Sequence, residues 1–161
     1  MENNNILIVS FLNKKSKMIA NFLEKRNFSV SVMDRVIPSN LGKIQFFRID
    51  TRHKENIKLV LSMVRPSVIV FCPEEVTGYS TCTALFPAMA ESSNRNIIVC
   101  LDYIAPDPKT VKEAFQWIIN TLAEIYTDEY SLNTQILTDS DNLLKKTKFF
   151  INQTKGREKV P

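Results

Sequence analysis

With 161 residues, 44% of them apolar and 24% charged, the chain has the size and make-up of one globular domain with a real core. A net charge of +4 is too modest to demand nucleic acid, and much of the excess sits in Lys14, Lys15 and Lys17 and in a 145–159 tail. Three cysteines without Cys-x-x-Cys spacing and a single histidine, His53, argue against a disulfide framework or a metal site; with no signal peptide or membrane span in view, a cytoplasmic, reducing location is expected.

Residues 5–10 (NILIVS) form a short apolar strand, and 15–26 (KSKMIANFLEKR) have the spacing of an amphipathic helix. A second strand over 29–33 ends in Asp34, an order that matches the first half of a dinucleotide-binding βαβ unit. Residues 43–49 (KIQFFRI) predict a third strand, and 55–64 a helix carrying Ile57, Val60, Met63 and Val64 at helical spacing. Pro66 introduces 67–72 (SVIVFC), a continuous apolar run typical of a strand buried on both faces. A helix is expected over 83–91 despite Pro87, then a buried strand over 96–100 (NIIVC). Asp107 and Pro108 predict a helix start, acid as N-cap and proline at the first helical position, and the helix continues to Tyr126. A sixth strand over 133–137 (NTQIL) and a last helix over 143–153 complete the pattern. The expected fold class is α/β: a doubly wound, mostly parallel, Rossmann-like sheet of about six strands with helices on both faces. The domain spans 1–161, with the last helix and charged tail over 143–161.

Four segments in this order resemble the extended short-chain dehydrogenase/reductases, the NAD-dependent epimerase, dehydratase and nucleotide-sugar reductase group. They are 6–35, Ile49-Asp50-Thr51, 64–70 (VRPSVIV) and 123–137 (AEIYTDEYSLNTQIL). The resemblance implies a Gly-x-x-Gly-x-x-Gly phosphate turn after the first strand, yet its glycines map onto Ser10, Asn13 and Ser16. In such a turn the first glycine makes the bend, the second lets backbone N–H groups approach pyrophosphate, and the third lets helix pack on strand. A Cβ at each position obstructs the phosphate, so no bound NAD(P) and no other cofactor is expected. The chain holds only three glycines, Gly42, Gly78 and Gly156, where an average composition of about 7% gives roughly eleven.

The other departures also fall on the chemistry. The family's small-residue segment after the fourth strand reads Phe71-Cys72-Pro73-Glu74 here, and its substrate-bonding Ser/Thr after the fifth maps to Leu101. Its Tyr-x-x-x-Lys pair, a proton-transfer tyrosine and the lysine that lowers its pKa, maps to Lys112 and Gln116. The family continues into a C-terminal substrate domain, which this chain is expected to lack. Asp34 and Asp50 match acids that touch ribose and adenine in the family, or are remnants at strand ends. Lys14, Lys15 and Lys17 are a solvated surface, or a small-anion site at a helix N-terminus. Tyr103 is not at the family's tyrosine position, and Cys72 and Cys100 are expected as packed thiols, since no histidine is placed to activate them.

The leading expectation is a non-catalytic, reductase-like scaffold (a pseudoenzyme) that acts through protein–protein contact. The alternatives are a nucleotide or small-anion sensing module, and a residual or rebuilt nucleotide-sugar oxidoreductase or epimerase. In the resembled family the helices matching 83–91 and 109–126 pair across a two-fold axis. The longer one here carries more apolar residues than one buried stripe needs, among them Phe115, Trp117, Ile118, Leu122, Ile125 and Tyr126. A homodimer, or an unidentified protein on the same face, is the expected partner; the competing expectation is that helix 143–153 covers the surplus.

Overall fold

The computed structural model describes residues 4–10, 14–36, 42–73, 78–101, 104–138 and 145. Strands and helices alternate: β1 (Asn5–Val9), α1 (Lys14–Glu24), β2 (Ser29–Asp34), β3 (Gln45–Arg48), α2 (Lys54–Val64), β4 (Val68–Phe71), α3 (Gly78–Glu91), β5 (Asn96–Cys100), α4 (Val111–Tyr130) and β6 (Asn133–Leu137). The strands form one six-stranded sheet in the order β3-β2-β1-β4-β5-β6, every pair parallel. The order reverses between β1 and β4, which opens a crevice at their carboxyl ends.

The apolar runs of β1, β4 and β5 have no polar alternation because helices cover both faces. On one face Ile6, Ile8, Val32, Val70 and Ile98 pack with Ile19, Ala20 and Leu23 of α1. On the other, Leu7, Val9, Ile69, Phe71, Ile97 and Val99 meet buried residues of α2, α3 and α4. Helix α3 lies between α2 and α4 and buries most of its circumference, including Thr81, Cys82, Leu85, Phe86 and Met89. That burial offsets the backbone hydrogen bond that Pro87 removes from its interior.

Two helix starts differ from the sequence expectation. Helix α4 begins at Val111, not at Asp107 and Pro108, because Thr110 is the N-cap: its Oγ1 accepts the Glu113 N–H at 3.1 Å, while Glu113 Oε2 accepts the Lys109 N–H at 3.2 Å. Thr110 thereby satisfies one of the helix's orphan donors and Glu113 a backbone donor just ahead of the cap, which outweighs the proline signal upstream. Helix α4 also runs to Tyr130, four residues past the expected end. Helix α3 starts at Gly78, ahead of the expected 83. The segment 143–153 expected as a last helix lies outside the described residues, apart from Lys145.

Scarcity of glycine leaves a mark on the backbone. Ser10, Asn27, Arg65, Ser93 and Ser131 all adopt positive φ, between 51° and 71°. Arg65 and Ser131 terminate α2 and α4, sending their N–H groups to Leu61 O and Thr127 O. An L-residue there costs about 1 kcal/mol, less whatever glycine loses in the unfolded chain. Ser131→Gly and Ser93→Gly are each expected to stabilise the fold by about 0.5–1 kcal/mol and to raise Tm by roughly 1–4 °C. Thermal denaturation followed by circular dichroism checks this; unchanged or lowered Tm values contradict the strain.

Candidate functional site: the crevice at the carboxyl ends of the strands

Ser10 follows β1 on the crevice floor, 3% exposed, with φ 71° and its N–H donated to Met33 O at 3.0 Å. The left-handed bend that a first turn glycine makes is therefore present, built with a serine. Ser16, at the third glycine position, is fully buried on α1, where its small side chain allows the helix to approach the sheet. Asn13 lies outside the described residues, as do Glu74 and Tyr103. Lys14 and Lys17 are exposed and Lys15 half-buried in the first turn of α1, which carries no acid to complement the helix dipole.

Asp34 ends β2 and is buried, its Oδ1 accepting the Arg35 N–H at 2.7 Å. Asp50 follows β3, and its carboxylate accepts three bonds from Arg52: the backbone N–H at 3.0 Å, Nε at 2.9 Å and Nη2 at 2.7 Å. His53 Nε2 lies 3.4 Å away. The Arg52 hydrogen bonds hold the Asp50 carboxyl well below the usual carboxylate range, and Asp50 in turn raises Arg52. A carboxylate gripped by a planar fork has most of its acceptor capacity taken, so any further donor must compete with Arg52 for it. The sequence carries the Asp-x-Arg spacing, but spacing alone does not mark Arg52 as that competitor.

Leu101 is 1% exposed, a core residue whose N–H bonds Leu137 O at 2.8 Å, so this position faces packing and not solvent. Lys112 is exposed in the first turn of α4; Gln116, one turn on, is buried on the same stripe as Ile119 and Ala123. Beside them Phe115 leans on the start of α3. A Cβ at Gly78 would stand 2.7 Å from Phe115 Cζ and 2.8 Å from Pro73 Cβ, so ring, proline and glycine close the gap between β4 and the α3–α4 pair. Cys72, Cys82 and Cys100 are all reduced and buried; burial pushes the Cys82 thiol up to about 12, which leaves no thiolate there for chemistry. Among the described residues no cluster of His, Cys, Asp and Glu is arranged to hold a metal, and no helix is long and apolar enough to cross a membrane.

The six candidate interface residues divide into two sets. Phe115, Leu122 and Tyr126 are half-buried against the core, with the Tyr126 ring stacked between Phe86 at 5.2 Å and Tyr130 at 6.0 Å. Trp117, Ile118 and Ile125 are 45%, 38% and 52% exposed. Val111, also exposed, stands seven residues before Ile118, which stands seven before Ile125, so the three share one stripe along α4.

No protein-family model and no curated protein sequence matches the chain. Solved structures do match it. UDP-glucose 4-epimerase from Thermus thermophilus in complex with NAD is 18% identical with a TM-score of 0.69, over 83% of this chain and 54% of that one. UDP-glucose 4-epimerase from Brucella ovis in complex with NAD gives 14% and 0.75, over 84% and 51%. L-threonine dehydrogenase from Clostridium difficile gives 11% and 0.71, over 86% and 53%. The chain spans about half the length of these proteins. Its fold is thus the Rossmann-like α/β fold that NAD-dependent epimerases and related dehydrogenases share.

Proposed function

We propose that this chain is a non-catalytic, epimerase-like scaffold that works through protein–protein contact, with a second copy of itself as the first partner. The observation that carries this reading is the outer face of α4, where the Val111–Ile118–Ile125 stripe and Trp117, about 100° round the helix from Ile118, expose large apolar surface on a helix whose opposite side is fully engaged. Trp117 supplies the kind of large aromatic side chain in which interface hot spots are enriched. An isologous pair of α4 stripes hides both copies at once. The chemistry positions support the non-catalytic half of the reading: Leu101 lacks a hydroxyl, and Lys112 and Gln116 provide neither a proton-transfer tyrosine nor its lysine.

Isothermal titration with NAD(H) and NADP(H) is expected to give no Kd below about 10 μM, roughly −7 kcal/mol. Assays on nucleotide sugars are expected to give no epimerase, dehydratase or dehydrogenase turnover. Turnover abolished by Lys112→Ala or Gln116→Ala would overturn the non-catalytic reading.

A second reading, a nucleotide or small-anion sensor, is favoured by the retained bend at Ser10 and the buried Asp34 beside the crevice. A thermal-shift screen against mononucleotides and inorganic phosphate separates the two, because only a sensor gains stability from ligand.

A further inference from the structure

Cys72 and Cys100 stand side by side where β4 and β5 end. Phe71 pairs with Val99, so the next residue along each chain places Cys72 opposite Cys100. Both belong to the α1-side core with Val70 and Ile98, which puts the two side chains on one face of the sheet. Cys82 lies apart, in α3 and in the core on the other face. Both strand-end cysteines are reduced thiols, 1% and 4% exposed. Adjacent strands run about 4.7–4.9 Å apart, inside the roughly 4.4–6.8 Å between Cα atoms that a disulfide spans. Cys100 is held in the ladder by its pairing with Leu137, whereas Cys72 has passed the last β4–β5 pair and is held from the other side, its N–H on Val9 O at 3.0 Å. Each member is thus held by its own neighbouring strand, Cys100 on the β6 side and Cys72 on the β1 side.

We propose that Cys72 and Cys100 are a modification site: a vicinal dithiol that closes to an intramolecular disulfide, with a low-molecular-weight disulfide as the oxidant. One thiol, as thiolate, attacks the oxidant's S–S bond, forming a mixed disulfide and releasing one small thiol. The second protein thiolate then attacks the mixed disulfide, forming the Cys72–Cys100 bond and releasing a second small thiol. Two protein thiols are oxidised, one disulfide is reduced to two thiols, and each protein proton leaves on a small thiol. Burial makes the reaction proceed through opening of the strand ends. In a reducing compartment the site stays a dithiol. Once closed, the bond ties β4 to β5 on the crevice floor, in line with Ser10 across β1.

The test is peptide mapping of the whole folded chain after incubation with glutathione disulfide, with remaining thiols alkylated after unfolding. The expected product is a single bridge joining the Cys72 and Cys100 peptides, two hydrogens lighter, with Cys82 alkylated and dithiothreitol restoring the starting mass. Cys82→Ala is expected to form the same bridge, and Cys100→Ala to stop at a glutathione adduct on Cys72. A bridge that includes Cys82, cross-links between chains, or recovery of both strand-end cysteines as thiols while a model dithiol peptide in the same mixture oxidises would each overturn the proposal. Because the mapping on the unsubstituted chain decides alone, a variant that fails to fold leaves the outcome intact.

Discussion

Sedimentation velocity at tens of micromolar is expected to give a dimer for the unsubstituted chain and a monomer for Trp117→Glu. Trp117 is the largest exposed apolar side chain on α4, and Ile118 and Ile125 are exposed with it. A carboxylate at its position would be carried into an apolar contact twice, once per copy, without a partner. Loss of a central aromatic anchor weakens association by about 2–4 kcal/mol, some 30- to 1000-fold in Kd, and the buried charges add to it. Met18→Glu is the matched control, since Met18 is 51% exposed on α1, across the sheet from α4. The control is expected to sediment as the dimer. A chain that stays monomeric at these concentrations, alone and with candidate partners, contradicts the interface.

The sheet was legible because its cause is local. Continuous apolar runs at β1, β4 and β5, broken by helical periodicity, leave few topologies that bury both faces. Residue 78 shows where such reading ends: a glycine looks like a loop signal, yet Gly78 is the first residue of α3, and Phe115, 37 positions away in sequence, rests where its Cβ would be. The surplus on α4 was legible as an amount but not as a direction. Helix α4 packs on the sheet through Gln116, Ile119 and Ala123 and on α3 through the rings of Phe115 and Tyr126, so two adjoining contacts widen its apolar arc. Periodicity alone cannot divide that arc between a neighbouring helix and an external partner. At the crevice, the Asp50–Arg52 grip depends on the fold of a tight turn after β3, which spacing does not reveal.

Gly78→Ala is expected to destabilise the chain by about 1–3 kcal/mol, the usual cost of forcing a methyl into a filled site. The ordinary expectation for a helix runs the other way, since alanine is favoured over glycine by about 1 kcal/mol in a helix interior. Residue 78 opens α3, so little of that gain applies, and the new Cβ would meet Phe115 Cζ at 2.7 Å and Pro73 Cβ at 2.8 Å. The phenyl ring, half-buried against the core, would have to tilt away from its present contacts. Pro73 has less freedom, because the preceding Cys72 is tied by its N–H to Val9 O. Thermal denaturation should show a Tm lowered by roughly 2–4 °C for each kcal/mol lost. The double-mutant cycle with Phe115→Leu isolates the contact: shortening the ring opens space, so Gly78→Ala should cost at least about 0.5 kcal/mol less in that background. Residual cost in the double variant then measures the collision with Pro73. A neutral or stabilising Gly78→Ala would mean that Phe115 does not close the gap between β4 and α3.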